Sequence, residues 1–482
     1  MRAESETNID FVVDVIEAKR EAYAALSDRI WDLAETRWQE FQSVEAQIQM
    51  LEREGFRVTR NLGGLPTAFM AEAGNGGPIA GFLGEYDALS NMSQEPGAIE
   101  ARQICDGAGG HGCGHHLLGV GAMLAAVAAR DCIARHGREG VVRYYGCPAE
   151  EGGAGKAFMA REGVFDDLDF ALTWHPGPFS GIFKYKSLAV IQAAFRFSGT
   201  ASHAAASPHL GRSALDAVEL MSVGVNFLRE HMPHDDRVHY AITDAGGKAP
   251  NVVQERSEVL YVVRSPDIEG ARELFARVER IAQAAALMTE TSVTLEFDRA
   301  CSDVVRNGVI ERLMMRNLEV LGHPPFDDSD HEFAARLEAS ISPQDLLECI
   351  ASYNGPRNAR GLSLTPLPLA DEPGSLTGSS DVGDVSWVVP TTQYLGACYA
   401  VGTNMHTWQL VGQGKLPAAH KGMLHAAKVM AATALDMLGD PALIAEAKAE
   451  HRRKTGGRSY VSPIPPGVLP APLRDRKMGS VV

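Results

Sequence analysis

The segment from Gly110 to His116 places a cysteine and three histidines in a glycine-rich stretch of the chain. Cys113 and His115 are two positions apart, so in an extended segment their side chains would point the same way and could bind one ion. The glycines allow the backbone to fold closely around such an ion. The apolar run from Leu117 to Ala129 predicts a buried helix that anchors the segment. This combination is typical of a metal site.

Two adjacent acids, Glu150 and Glu151, follow the predicted strand from Val141 to Tyr145. In open α/β sheets, ligands bind outside the carboxyl ends of the strands. Neighbouring acids at such an end point in different directions, so one could bind a metal while the other handles a proton. Taken alone, the pair is more typical of a solvated helix start, where the helix dipole favours carboxylates.

His175 ends a predicted strand, and His406 follows the predicted strand from Trp387 to Val401. Each histidine alone is typical of an ordinary loop residue, but both join a larger set of donors near strand ends of one predicted domain. The candidate ligands are Cys113, His115, Glu151, His175 and His406. Donors of these types suit two transition-metal ions that share one bridging group. A carboxylate beside them could then take the proton of an acidified water molecule.

Two glycine-rich segments resemble nucleotide-binding motifs but lack the required context. Glycines 107, 109 and 112 match a dinucleotide fingerprint, yet Glu100 to Asp106 before them is no hydrophobic strand. The segment from Gly152 to Lys156 resembles a phosphate loop, but its spacing fails and Ala157 stands where a hydroxyl is needed. Neither segment is therefore expected to bind a nucleotide.

The composition argues against several classes of protein. The 482 residues carry a net charge of −16, which argues against a nucleic-acid partner because that partner requires a basic surface. No run approaches the ~18 apolar residues of a membrane span, and the acidic, polar N-terminus is not expected to be a signal peptide. The 7 cysteines are odd in number and scattered, so we expect no disulfide framework and a cytoplasmic location.

The order of predicted elements divides the chain, whose length suits ~2–4 domains. Strands alternate with helices in residues 1–186, which predicts an α/β domain with a sheet covered on both faces. Residues 187–303 follow a β-α-β-β-α-β order, that of a ferredoxin-like sandwich. This α+β domain would be inserted before the second part of the larger domain, residues 304–445. Residues 446–482 would form a C-terminal tail.

Several stretches of the chain resemble a known family. They are Gly84 to Leu89, Gly112 to His115, Pro148 to Glu151, Trp174 to Pro176 and Ser202 to Gly211. These stretches resemble the aminoacylase/carboxypeptidase family of di-metal amidohydrolases, within it the branch of indole-acetyl-amino-acid hydrolases and aminobenzoyl-glutamate hydrolase B subunits. Ser380 to Trp387 and Met405 to Gln409 most resemble the B subunits. The implied fold class is α/β, a mixed-sheet di-metal catalytic domain with an inserted ferredoxin-like α+β lid and dimerisation domain.

The resemblance implies a role for each candidate residue of the larger domain. Cys113 would be the bridging thiolate, and the other ligands would be His115, Glu151, His175 and His406. Glu150 would be the general base that activates the bridging water and later passes its proton to the leaving amine. His116 stands where many relatives carry an aspartate, which implies that a supporting carboxylate is missing there.

Residues of the inserted domain also receive roles from the resemblance. His203 matches a histidine that reaches the active site of the partner subunit and stabilises the oxyanion. Asn251 matches a lid residue that contacts the substrate. Arg264 could pair with a substrate carboxylate, because its fork suits bidentate contact, or could form a structural ion pair.

The predicted function is metal-dependent cleavage of an N-acyl or N-aroyl amino acid into a carboxylic acid and an amino acid. The favoured small-molecule substrates are aminobenzoyl-glutamate-like and indole-acetyl-aspartate-like amides. A dipeptidase or carboxypeptidase is the alternative within this class, and a non-catalytic partner subunit is the alternative outside it. The cofactors would be two divalent ions, Zn or Mn, since the thiolate favours zinc while the carboxylate tolerates manganese. The assembly would be a homodimer or a heterodimer with a homologous subunit.

Overall fold

The computed structural model describes residues 2–471 and the side chains from Ile9 onward. The end of the predicted tail, residues 472–482, lies outside the described part. The chain divides into two compact units. The first unit contains the residues up to 186 and residues 304–461, and the second contains residues 187–303 and the described residues after 461.

The first part of the first unit alternates helices with short strands. Its elements are α1 (Arg2–Leu33), α2 (Phe41–Arg53), β1 (Arg57–Arg60), β2 (Phe69–Asn75), β3 (Ile79–Gly84), α3 (His115–His136), β4 (Gly140–Gly146), α4 (Gly155–Arg161), β5 (Phe170–Gly177), β6 (Gly181–Ile182) and β7 (Lys186–Ser187). Every residue of β5 is buried, as expected for a central strand of a covered sheet.

The second unit has the predicted β-α-β-β-α-β order. Its elements are β8 (Ala189–Ser198), α5 (Ala214–Leu228), β9 (Arg237–Asp244), β10 (Arg256–Ser265), α6 (Ile268–Met288) and β11 (Ser292–Cys301). The strands pair antiparallel in the order β11-β8-β10-β9. Alternate residues of β10 are buried, so one face of this sheet packs against α5 and α6. Ser213 and Asp267 cap the two helices by accepting hydrogen bonds from backbone N–H groups in the first turn.

The first unit resumes after residue 303. Its further elements are α7 (Gly308–Leu321), α8 (Asp328–Glu338), α9 (Pro343–Ser352), β12 (Thr377–Gly378), α10 (Val382–Val388), β13 (Thr391–Ala397), α11 (Trp408–Gln413), α12 (Pro417–Gly439) and α13 (Pro441–Lys454). The strand predicted from Trp387 to Val401 is therefore too long at both ends. Trp387 belongs to α10, and Pro390 separates that helix from the strand because proline has no N–H to donate.

The large sheet brings several strand ends to one edge. Its order is β1-β2-β4-β3-β5-β13-β6, with β4, β3, β5 and β13 mutually parallel and antiparallel strands on both sides. This mixed sheet and the antiparallel sheet of the second unit confirm the predicted fold class. Because parallel strands end at the same edge, the residues after β3, β4, β5 and β13 gather there.

Helix α3 forms the centre of the first unit's core and packs against β3, β4, β5, α1 and α12. Its residues from His115 to Ala129 are all buried. A Cβ atom added at Gly121 would lie 2.8 Å from the Trp174 ring, so glycine allows the helix to approach the sheet. Within the described residues α3 is long and apolar enough to cross a membrane, but 83% of its apolar window is buried inside the structure. A core helix of a folded domain has this property.

Candidate metal centre

A left-handed glycine joins Cys113 to His115. Gly114 has φ +80°, and a Cβ atom there would lie 2.5 Å from the hydroxyl of Tyr399 and 2.6 Å from Cγ of Pro176. The prediction that the two donors share an extended segment is therefore wrong, because the chain turns at Gly114 and His115 already begins α3. The turn nevertheless brings the Cys113 thiol and the His115 imidazole close enough to share an ion.

The imidazole of His115 is held in one orientation. Its Nδ1 lies 3.0 Å from Oδ1 of Asp87 and 3.1 Å from the carbonyl oxygen of Asp87. Its Nε2 is buried and has no hydrogen-bond partner. A neutral histidine that donates through Nδ1 presents the lone pair of Nε2 to a metal, which is the usual arrangement of a metal ligand.

His175 lies in β5 and has the same arrangement. Its Nδ1 lies 2.8 Å from the carbonyl oxygen of Pro176, so that nitrogen donates and Nε2 is left as an acceptor. This Nε2 is 3.3 Å from Sγ of Cys113. Ligand atoms of Cys113, His115 and His175 all lie within 4.8 Å of one another.

A second triangle of donors contains Glu151, His406 and again Cys113. Oε1 of Glu151 lies 3.1 Å from Nε2 of His406. His406 has φ 59°, and its backbone N–H donates to the carbonyl oxygen of Gly112 at 2.8 Å, which ties its loop to the Cys113 turn. The backbone N–H of Glu151 donates to Oδ2 of Asp87 at 2.8 Å.

The two triangles share one thiol. Burial and the Glu151 carboxylate raise the pKa of Cys113, but the imidazoles of His175 and His115 outweigh them and lower it to about 6. Hydrogen bonds with Cys113 and Glu151 raise the pKa of His406 to about 10. A thiolate shared by two imidazoles on one side and by an imidazole and a carboxylate on the other suits zinc-like ions, so the residues present fit a dinuclear site.

Glu150 is set apart from the two triangles. Its Oε2 lies 3.9 Å from Nε2 of His115, and Ala149 before it has φ 56°. Burial raises the pKa of Glu150 well above its ordinary value, and the carboxylates of Glu85 and Glu151 raise it further. A carboxyl group in such surroundings holds a proton more readily than an exposed one, as a general base requires.

Four further buried charged residues, outside the ligand candidates and Glu150, surround His115 or connect to it. They are Glu85, Asp87, Lys156 and Asp381. The resemblance implied that a supporting carboxylate is missing at position 116. Asp87 supplies a carboxylate to Nδ1 of His115, whereas Nε2 of His116 lies 3.0 Å from the carbonyl oxygen of Gly414. Lys156 is fully buried, which is the signal that its glycine-rich segment is structural and not a phosphate loop.

The remaining predicted residues lie in the second unit. Nδ1 of His203 accepts hydrogen bonds from the backbone N–H groups of Ala205 and Ala206, at 3.2 and 3.0 Å. The carbonyl oxygen of Asn251 accepts from the N–H of Ala204 at 3.0 Å, so the structure brings the His203 and Asn251 segments together. Arg264 lies on β10, opposite residues of both β8 and β9.

The chain is similar to known hydrolases over most of its length. No family model matches the chain. Over 476 residues it is 48% identical to the B subunit of p-aminobenzoyl-glutamate hydrolase from Escherichia coli, covering 96% of this chain and 99% of that protein. It is 30% identical over 456 residues to the Xaa-Arg dipeptidase of Mus musculus, covering 91% of each. A solved dinuclear metal-binding peptidase of the M20 family from Bacillus subtilis has the same fold, with a TM-score of 0.52, 16% identity, and coverage of 87% of this chain and 99% of that one.

The mixed sheet and its inserted α+β unit give the chain the M20 peptidase fold, and its 48% identity to a hydrolase subunit shows that it belongs to a class of hydrolases. More narrowly, the chain belongs to the family of amide-bond hydrolases that contains the B subunit of p-aminobenzoyl-glutamate hydrolase. The family resemblance expected from the sequence motifs is thus confirmed. The candidate ligand groups agree with a dinuclear metal site of the kind named for the Bacillus structure.

Proposed function

We propose that the protein uses two divalent cations to hydrolyse N-acyl or N-aroyl amino acids to a carboxylic acid and an amino acid. The observation that carries this proposal is the position of Cys113 in both triangles of donors. Aminobenzoyl-glutamate-like amides are the favoured substrates because of the 48% identity to a hydrolase named for that compound. Indole-acetyl-aspartate-like amides belong to the same chemical class.

Different residues would bind the cations and transfer the proton. The cations would be held by Cys113, His115, Glu151, His175 and His406. When bound, such ions polarise the amide carbonyl and acidify water. Glu150 takes the proton of the attacking water at its carboxylate and then gives it to the leaving amine nitrogen. Zinc is favoured over manganese because one donor is a thiolate.

The second unit would serve as the lid. His203 would stabilise the oxyanion of the tetrahedral intermediate in the partner subunit's site, and Asn251 would contact the substrate. The alternatives for Arg264 are pairing with the substrate carboxylate and a structural ion pair.

The lid unit also supports assembly as a dimer. Strand β9 forms the edge of its sheet, and Tyr240 and Ile242 on this strand are exposed. Val223 and Phe227, one helical turn apart on α5, are exposed as well. An open strand edge and exposed apolar residues on the same unit suit pairing with a second copy or with a homologous subunit. The Escherichia coli relative is itself named as one subunit of its enzyme.

A reducing compartment is the natural location. All 7 cysteines lie within the described residues and none forms a disulfide. Because free thiols persist where disulfides do not form, we propose the cytoplasm.

A dipeptidase is the second candidate activity. The 30% identity to the Xaa-Arg dipeptidase favours it, since peptide and aroyl amides share the same scissile bond. A non-catalytic partner subunit is the third candidate, and it is disfavoured because all five ligand positions and Glu150 are filled.

The test is a substrate panel run with purified protein whose metal content is measured by elemental analysis. The panel contains aminobenzoyl-glutamate, indole-acetyl-aspartate and dipeptides with and without a C-terminal arginine. We expect two ions per chain and the highest kcat/KM on an aroyl amino acid. A higher kcat/KM on dipeptides selects the second candidate. Metal-free protein that is inactive on every substrate, and is not activated by Zn or Mn, contradicts the proposal.

A further inference from the structure

A buried carboxylate beside the two triangles has no role in the proposed function. Glu85 follows β3, and its carboxylate is almost completely buried. Its Oε1 lies 2.8 Å from Nζ of Lys156, and Nζ also contacts Oδ1 of Asp381 at 2.5 Å. The backbone N–H of Lys156 donates to the other oxygen of Asp381 at 2.8 Å. We call these three residues the Lys156 network.

The Lys156 network holds Glu85 in place. Lys156 occupies only one oxygen of the carboxylate, so Oε2 is left to face the metal centre. The backbone at Glu85 is fixed as well, since a Cβ added at Gly119 of α3 would lie 2.4 Å from its carbonyl oxygen. A donor that is held by packing and by a buried ion pair binds an ion without first being ordered.

Oε2 of Glu85 lies 3.1 Å from Nε2 of His115. That nitrogen nevertheless has no hydrogen-bond partner, so the oxygen lies off the direction in which a hydrogen bond would form. Two donors that bind one ion at about 2.1 Å lie about 3.0–3.4 Å apart, with the ion and not the other donor on each lone-pair axis. The position of Oε2 is therefore that of a second donor to one ion.

The neighbouring carboxylate is less well placed for this role. Oε2 of Glu150 is 3.9 Å from the same nitrogen, although Glu85, His115 and Glu150 together could hold an ion. The longer distance leaves Glu150 for proton transfer and Glu85 for binding. The competing interpretation is an ion pair between Glu85 and a protonated His115, which involves no metal.

We propose that Glu85 is a further metal-site residue, whose Oε2 donates to the ion held by His115, and that Lys156 and Asp381 position it. This inference rests on the proposed metal-dependent function. It adds a carboxylate oxygen to a donor set of thiolate, imidazole and one other carboxylate.

The test is titration of chelator-stripped protein with Co²⁺, followed by its visible absorption, and with Zn²⁺ in competition with a chelator. We expect Glu85→Gln to lower the affinity for one of the two ions by at least about tenfold and to leave the affinity for the other unchanged. Glu85→Asp keeps the charge beside Lys156 but moves the carboxylate oxygen away from the ion. It should therefore lower the affinity for the same ion and change the visible Co²⁺ spectrum. Lys156→Met should also lower the affinity for this ion, by a smaller factor.

Two control variants test whether the loss of any buried charge in the first unit weakens metal binding. Glu311→Gln removes a buried carboxylate that pairs with the half-buried Arg306, and Lys428→Met removes a buried ammonium group that pairs with the half-buried Glu17. Both should bind the two ions as the wild type does. Wild-type affinity for both ions in Glu85→Gln and Glu85→Asp would overturn this inference and leave the proposed function standing. Failure of the wild type to bind metal would instead overturn the proposed function.

Discussion

Nδ1 of His115 lies 3.0 Å from Oδ1 of Asp87, and this one carboxylate connects both halves of the candidate site. Its other oxygen accepts the backbone N–H of Glu151 at 2.8 Å. Asp87 therefore sets the orientation of an imidazole donor in one triangle and the backbone of a carboxylate donor in the other. Movement of either donor would therefore displace the other through the Asp87 side chain.

Replacement of Asp87 by asparagine tests this connection. An amide has one acceptor oxygen in place of two, so either the His115 or the Glu151 hydrogen bond is lost. We expect metal affinity to fall about 10- to 100-fold, measured by chelator competition. Asp169→Asn is the matched control, because Asp169 also accepts a backbone N–H, from Ile79 at 2.7 Å, and contacts a lysine. Equal affinities in the two variants would show that Asp87 does not orient the donors.

Cys113→Ser tests whether one thiol serves two ions. Because Cys113 belongs to both triangles, its loss should lower the bound metal of the protein from two ions toward none after dialysis against a weak chelator. Cys132→Ser, at a buried cysteine of α3 outside the triangles, should retain two ions. Loss of only one ion in Cys113→Ser would place the thiol in a single site.

Glu150→Ala separates metal binding from catalysis. The residue is not part of the two triangles that share Cys113, so both ions should remain bound. Turnover should fall by about 10²–10⁴-fold or more because the proton has no acceptor. Elemental analysis and the rate of amide hydrolysis on the same sample check both statements. Retained activity with two ions bound would rule out Glu150 as the general base.

The five ligand candidates could be found from the sequence because each combines a metal-binding side chain with the end of a strand or a glycine-rich turn. Parallel strands then bring such positions to one edge, and the structure shows Cys113 within reach of His175 and of His406. The conformation between Cys113 and His115 could not be predicted, because it depends on the close approach of Tyr399 to Gly114.

The Lys156 network was harder to predict for a physical reason. Charged side chains are rarely buried unless they are paired, so an isolated charge in a sequence is first interpreted as a surface residue. The partners Glu85 and Asp381 are about 70 and 225 positions from Lys156, and only the folded chain shows that they pair. Neither spacing nor periodicity carries that information.

The loss of stability as the pH rises toward about 8 should depend on Glu40. This side chain is fully buried, its Oε1 accepts the N–H of Ala149 at 2.9 Å, and burial together with the Asp87 carboxylate raises its pKa to about 8. The unfolded carboxyl titrates near about 4.3, so the stabilisation is complete below that pH, falls as the pH rises, and is fully lost above about 8. Glu40→Gln imitates the protonated form, so the unfolding midpoint of the wild type should fall relative to that of the variant between about pH 5 and 8 and run parallel to it at higher pH.

The measurement for Glu40 is thermal unfolding in the presence of a chelator, which removes any effect of bound metal. Glu311→Gln serves as the control, since Arg306 outweighs burial and lowers the pKa of Glu311. That variant should be less stable than the wild type at neutral pH, and its midpoint should not rise relative to that of the wild type between about pH 5 and 8. Parallel midpoints of wild type and Glu40→Gln across this range would contradict the prediction.

Gly114→Ala tests the turn that joins Cys113 to His115. Alanine at this position should destabilise the fold for two reasons, the left-handed φ of +80° and a contact of 2.5 Å between the added Cβ and the Tyr399 hydroxyl. Gly137→Ala isolates the effect of the left-handed backbone, because Gly137 has φ +59° at the end of α3 and open space around the added Cβ. The control should lose about 1–2 kcal/mol of unfolding free energy. Gly114→Ala should lose clearly more in urea unfolding and should also bind metal more weakly, since the added methyl displaces the Cys113 turn. Equal losses in the two variants would mean that the turn can relax away from Tyr399 without disturbing the donors.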